Sequence, residues 1–112
     1  MIKTKSIFEK ESSDDGFRVC VMRFIRDDYR FDLWLRDLAP SIDLLNDWKN
    51  RKASWKEYEE RYLEEMRGKE EAVKRLVEVI REKIVVTLLC AEKDDRFCHR
   101  RLLKEYLIPF LP

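Results

Sequence analysis

No stretch of this chain approaches the roughly 18 apolar residues of a membrane span. Met1 to Lys10 also lacks the apolar core of a signal peptide. The expectation is a cytoplasmic protein with no membrane partner. An excess of one charge is missing too: 24 Lys+Arg nearly cancel 23 Asp+Glu, leaving a net charge of +1. That balance removes the whole-molecule case for nucleic acid, and no helix carries the lysine and arginine stripe such binding would use. Cysteines are only three, an odd number. This argues against a disulfide framework and for reduced thiols, although Cys90 and Cys98, close together across a turn, leave a local disulfide open. There is one histidine, and there is no Gly/Ser-rich linker, internal repeat or low-complexity tail.

What the chain does have is charge of both signs, 42% of residues, beside 45% hydrophobic residues. Such a surface suits ion-pair networks and a thermophilic source. At 112 residues, positions 1–112 form one domain able to bury a single core. From Ile84 to Cys90 every residue is apolar or β-branched, the pattern of a central strand covered on both faces.

Two strands precede it. Met1 to Phe8 alternates with a period of two and carries Lys3 and Lys5 on one face, as an edge strand does. Asp15-Gly16 is a turn signal, and Phe17 to Ile25 is a second strand with Val19, Val21 and Phe24 as core candidates. Arg23 and Arg26 then fall at or beyond its C-terminal end, the edge of an open α/β sheet where ligands bind.

Helical periodicity takes over from Phe31. A short stripe of Leu33, Trp34 and Leu38 ends at Ala39-Pro40, and Ser41 caps a helix with Leu44, Leu45 and Trp48 on its apolar face. Ser54 and Glu57 form a capping box for a helix bearing Trp55, Tyr58, Tyr62 and Met66, which ends at Gly68, the residue that tolerates a left-handed position after a helix. A further helix over 69–83 buries Val73, Leu76, Val77 and Ile80. After the central strand comes a last helix with Leu102, Leu103, Tyr106 and Leu107, stopped by Pro109 and Pro112. The fold class is therefore α/β: a single small domain with a short, mostly parallel sheet of about three to four strands packed by several helices, and a right-handed crossover into the third strand.

The chemistry is concentrated in the turn 90–100. With Asp94 or Asp95 as cap, Cys98 falls in a first helical turn, where free amides and the helix dipole favour a thiolate, and Arg96, Arg100 and Arg101 add to that field. His99 is the proton partner at hand. Cys90 to Arg96 has the C-x5-R spacing of cysteine phosphatases, but Glu92, Asp94 and Asp95 in the same loop would repel a phosphate. A zinc site from Cys90, Cys98 and His99 is one ligand short of a closed site, and adjacent ligands at 98 and 99 are poor geometry, so neither metal nor cofactor is expected. The aromatics Trp34, Trp48, Trp55, Tyr58 and Tyr62 read as core at this spacing, with base stacking or a partner surface as alternatives.

The run Cys90-Ala-Glu-Lys-Asp-Asp-Arg-Phe-Cys98-His99-Arg100, following Leu88-Leu89, resembles the C-terminal signature of domain-of-unknown-function family 488. Asp15-Gly16, Arg18-Val19, Arg23, Arg26, Trp34, Leu38-Ala39-Pro40-Ser41, Trp55 and Tyr62 are similar to its YeaO-like branch. The resemblance implies a small α/β domain whose arginines and Cys-His-Arg segment converge on one pocket, and it implies no particular activity. Its marked positions here are Asp15, Gly16, Arg23, Arg26, Cys90, Glu92, Asp94, Cys98, His99 and Arg100. Phe24-Ile25 replaces the branch's apolar-Trp-Pro, and Asp27 replaces a glycine, in the loop that presents Arg26.

These readings converge on a pocket for a small anionic ligand. Arg23, Arg26 and Arg100 bind negative charge, Cys98 is the activated thiol, and His99 is its proton partner. Asp94 and Glu92 orient the arginines, and Cys90 and Asp15 complete the lining. The alternatives are a non-enzymatic module in which the same cluster is a structural network, and a nucleic-acid-associated protein.

Overall fold

The computed structural model describes residues 1–111. Pro112, expected to help stop the last helix, lies outside the described residues. Four strands, β1 (Ile2–Ser6), β2 (Phe17–Cys20), β3 (Leu33–Trp34) and β4 (Val86–Cys90), form one sheet in the order β1-β4-β2-β3, parallel throughout. The four α-helices are α1 (Ile42–Lys49), α2 (Trp55–Arg67), α3 (Glu70–Glu82) and α4 (His99–Leu107). No helix among the described residues is long and apolar enough to cross a membrane.

All five residues of β4 are buried, as the unbroken apolar run requires of a strand flanked on both sides. Its register aligns Leu88 with Thr4 and Val19, and Cys90 with Ser6. Val86 and Leu88 join Ile2, Val19 and Val21 in one core with Leu44, Tyr62, Met66, Leu76, Leu102 and Leu103 from the helices. Thr87 points to the other face, where its hydroxyl donates to the Asp15 carbonyl at 2.6 Å. The connection from β1 to β2 covers that face. It is pinned where Gly16, at φ 63°, passes so close to β4 that a Cβ would stand 2.4 Å from the Val85 carbonyl oxygen.

Several expected boundaries move. β2 ends at Cys20, not Ile25, because its guide β4 ends: Val21 makes the last bond, to Leu89 O at 3.1 Å. Phe24 is 59% exposed and not core. The stripe at 33–38 forms β3 and a 3-10 turn at Arg36–Leu38 in place of an α-helix. Its backbone is drawn onto β2 by Asp32 N to Arg18 O and Leu35 N to Cys20 O, and three apolar residues are too few for their period to decide between helix and strand. β4 begins at Val86, leaving Ile84 90% exposed.

The helix signals fare better. Ser41 caps α1 through Leu44 N, and the Ser54–Glu57 capping box closes in both directions at 3.2 Å. Gly68 follows α2 at φ −84°, a conformation open to any residue; its amide reaches Glu65 O and Met66 O without a left-handed turn. Pro109 sits in a 3-10 turn, Ile108–Phe110, directly after α4.

Candidate functional site

Adjacent strands β2 and β4 end side by side, and the chain leaves each of them along a different path. After Val21 it loops out through Met22–Tyr29. After Cys90 it makes a polar turn and a 3-10 segment, Asp95–Phe97, then enters α4. Between these two exits, walled by α1 and α2, lies a cleft of about 270 Å³. Cys90, Cys98 and His99 line it together with Arg23, Arg26 and Glu92, beside Trp48, Tyr58 and Phe97. A parallel sheet leaves such a crevice at the carboxyl ends of its strands.

The turn that delivers Cys98 is fixed from both ends. Asp94 caps the 3-10 segment by accepting from Arg96 N at 2.9 Å, and Asp95 accepts from the Thr4 hydroxyl of β1 at 3.0 Å. Cys98 is then the N-cap of α4, one step before the helix and not inside its first turn, in extended backbone at φ −139° and ψ 141°. The change from extended Cys98 to helical His99 aims two neighbouring side chains at one point.

His99 Nε2 lies 2.7 Å from the Val21 carbonyl oxygen. A carbonyl only accepts, so Nε2 carries a proton, and in the neutral ring Nδ1 is a bare acceptor. Nδ1 stands 3.7 Å from Cys90 Sγ and 3.9 Å from Cys98 Sγ. The two sulfurs and this nitrogen all lie within 4.8 Å of one another. Tyr62 packs on the imidazole at 5.5 Å between centroids, and its hydroxyl donates to Leu38 O at 2.7 Å.

The two thiols are shifted in opposite directions. Cys90 is held below the usual thiol range by the hydrogen bond from Cys98; burial opposes this, while the backbone amides of Glu92 and Ala91 and the Arg100 charge assist. Cys98 is raised, because it is the donor in that bond and because it is buried. The lowered thiol is therefore Cys90 at the strand end, where the sequence suggested Cys98 at the helix start. Cys20 is raised by burial, which outweighs the lowering bond from the Met22 backbone; it stands at the level of Leu89, facing away from the cleft. All three cysteines are free thiols.

Arg100 is 1% exposed, yet no carboxylate lies within ion-pair distance of it among the described residues. Its Nη1 donates to Cys98 Sγ at 3.4 Å, its Nη2 to Lys93 O at 3.4 Å, and its Nε has no partner. It sits behind the sulfurs and does not line the cleft itself. Arg23 is steered into the cleft by bonds from Nε to Pro40 O at 2.8 Å and from Nη2 to Ala39 O at 3.5 Å. Arg26 is exposed at the rim, its guanidinium in no ion pair among the described residues.

Besides Arg100, expected to bind the anion directly, two expected members lie elsewhere. Asp15 is buried at the far side of the sheet, clasped by Lys5 and Arg18. Burial would raise its pKa, but the Ser12 amide and the two cations outweigh burial and hold it below the usual carboxylate value. Asp94 binds Arg96 at 2.8 Å and orients none of the cleft arginines. That pairing also turns Arg96 outward, away from any phosphate-loop role. Glu92 lines the cleft without an ion pair to Arg23 or Arg26. Sequence reasoning missed the Val21 carbonyl, which no side-chain pattern reveals, and the cleft role of Trp48 and Tyr58, whose helical spacing reads as core, and of Lys49, which carries no signal of its own.

The family profile of DUF488-N3a, described as the active DUF488-N3 subclade, matches residues 2–108. The chain is also 26% identical to the uncharacterized protein YeaO of Escherichia coli (strain K12), over 95% of this chain and 96% of YeaO. No solved structure matches. With the profile running from the first strand to the end of the last helix, the chain belongs to the DUF488 family, in its YeaO-like branch.

Proposed function

We propose that the cleft binds a small anion, a phosphate or carboxylate compound with a flat or apolar body, and presents it to a reactive sulfur–imidazole centre. The observation behind this reading is convergence. Arg23 and Arg26, from the exit of β2, share one cleft with Cys90, Cys98 and His99, from the exit of β4 and the start of α4. Guanidinium groups recognise planar anions through paired N–H donors, and the aromatic wall of Trp48, Tyr58 and Phe97 suits an apolar or planar portion. In the metal-free, reduced protein Cys90 is the nucleophile and His99 Nδ1 is the group that takes its proton. The description of the subclade as active accords with a working centre.

The test is alkylation of EDTA-treated protein with iodoacetamide at neutral pH, resolved for each cysteine by mass spectrometry, with and without inorganic phosphate. Cys90 is expected to react ahead of Cys98 and Cys20, and phosphate is expected to slow it. Replacing Arg23 and Arg26 together by alanine should abolish that protection while Cys90 stays reactive. A Cys90 rate indifferent to phosphate, together with no heat of phosphate binding, would remove the anion reading.

A further inference from the structure

We infer that Cys90, Cys98 and His99 form a binding site for one zinc-type divalent ion, with the fourth coordination position open to the cleft. The donor set is two thiols and an imidazole, a soft combination that suits zinc and excludes magnesium or calcium, which require oxygen ligands. The nitrogen–sulfur spacing agrees with a single tetrahedral centre. Zn–S bonds of about 2.3 Å and a Zn–N bond of about 2.05 Å at the tetrahedral angle put sulfur and nitrogen roughly 3.6 Å apart, and the two sulfurs roughly 3.8 Å apart. Nδ1 stands 3.7 and 3.9 Å from the two sulfurs, and no donor is more than 4.8 Å from another. Shifts of a few tenths of an ångström in the ring position close the nitrogen–sulfur edges.

The groups behind the donors are also in place. A ligating histidine almost always gives its other ring N–H to a carboxylate or carbonyl, which fixes the tautomer. Val21 O holds Nε2 at 2.7 Å and so leaves Nδ1 bare toward the sulfurs. Arg100 Nη1 already donates to Cys98 Sγ at 3.4 Å, the bond that steadies a thiolate ligand. Two thiolates and one divalent ion make a neutral set.

Both arguments against a metal in the sequence lose their force. Three ligands are too few for a closed structural site, but they are the number a catalytic zinc site keeps. Adjacent ligands at 98 and 99 converge because one is an extended cap and the other the first residue of α4. All three ligands line the cleft, so the open position is reached from the side of Arg23 and Arg26. The inference depends on the anion reading only for the ligand that would meet that fourth position; uptake of the ion does not. With the ion bound, both sulfurs are ligands, and the free thiol is the chemistry of the metal-free centre alone.

The experiment titrates cobalt(II) into reduced, EDTA-treated protein and follows its absorption. One ion per chain is expected, with the strong visible bands of tetrahedral cobalt and near-ultraviolet thiolate charge transfer, both displaced by zinc. In the wild-type protein, zinc should block alkylation of Cys90 and Cys98, a readout that needs no variant to fold. Cys98→Ser and His99→Gln should each weaken uptake by more than about 100-fold, beyond the 10–100-fold range of outer groups, while Cys20→Ser leaves it unchanged. A pale octahedral spectrum, undiminished alkylation under zinc, or uptake that survives Cys98→Ser overturns the site. If phosphate leaves the cobalt bands unmoved and fails to protect Cys90 in metal-free protein, the metal site stands and the anion reading falls. If phosphate still protects Cys90 but no tetrahedral cobalt forms, the metal site falls and the anion reading stands.

Discussion

Replacing Arg100 by methionine should stabilise the protein, and the reason lies in how poorly this arginine is satisfied. Its side chain is buried to 1% exposure with no carboxylate partner among the described residues, and Nε bonds to nothing. A buried ion costs several kcal/mol, and an orphaned buried N–H costs about 1–3 kcal/mol. Arg100 is also the second residue of α4, whose first turn holds no acidic residue, so its charge opposes the helix dipole by about 0.3–1 kcal/mol. Against this stand two bonds of 3.4 Å, one of them to sulfur, in a class worth about 1.5–3 kcal/mol at good geometry. Methionine keeps the unbranched apolar stem and adapts to irregular space. The net expectation is a gain of about 1–3 kcal/mol, a rise in Tm of roughly 4–12 °C at about 4 °C per kcal/mol for a domain near this size. Urea unfolding at neutral pH, in EDTA and without phosphate, reads the gain as a higher midpoint at unchanged slope. Cys90 in the same variant should alkylate more slowly, having lost a cation that favours its thiolate. A stability loss of more than about 1 kcal/mol would refute the reasoning. Arg100 would then be a structural tie between α4 and the turn, and the cluster a network that holds the fold.

Three further outcomes concern the opposite side of the sheet and the core. Gly16→Ala should cost about 2 kcal/mol or more in urea unfolding, since the new Cβ meets the Val85 carbonyl oxygen at 2.4 Å and φ is 63°; a loss below about 0.5 kcal/mol would mean that the β1–β2 connection yields. Asp15 has a folded pKa below its unfolded value, so its contribution is complete above about pH 4 and fades as pH falls through the folded value. Asp15→Asn, which leaves buried Arg18 only the half-exposed Glu11 carboxylate at 3.7 Å, should lower Tm at neutral pH by the equivalent of about 3 kcal/mol. Below pH 4 the two proteins should converge, and a constant gap across the acid range would count against the ion triad. Tyr62→Phe strips the buried Leu38 carbonyl of its donor and should cost about 1–3 kcal/mol; an unchanged urea midpoint would show that the 38–41 segment holds without it.

The parts of the fold that could be read from the sequence are those where one physical signal had no competitor. An uninterrupted apolar run of this length, bounded by polar turns, suits a strand covered on both sides, and Ile84 to Cys90 supplied β4 inside the sheet. Ser41 and the Ser54–Glu57 pair marked helix starts because a side-chain oxygen can meet a free amide only at that offset. Where signals were short or shared, the partner decided. Leu33 and Trp34 are strand because β2 offers them a free edge, and Phe24 is outside because β4 has already ended.

The candidate site divides along the same line. Cys90, Cys98, His99, Arg23 and Arg26 could be named because polar residues at the ends of apolar elements stand at the sheet's carboxyl edge whatever the details. What could not be read is which of the two thiols is lowered and which is raised, for that depends on amides and on a neighbouring thiol whose positions only the folded turn sets. Asp15 has the same composition signal as a ligand-binding carboxylate, but Gly16 and β4 hold it at the far side of the sheet against Lys5 and Arg18. The start of α4 was the most informative conflict: a cysteine cap that accepts no hydrogen bond from the helix amides, followed by His99, Arg100 and Arg101 where acidic residues belong. A helix that needed only to fold would gain from the opposite choice at each of those positions. The sequence keeps the costly residues at the one place where two strand ends, a helix start and a cleft meet, and that is where local rules are expected to give way to function.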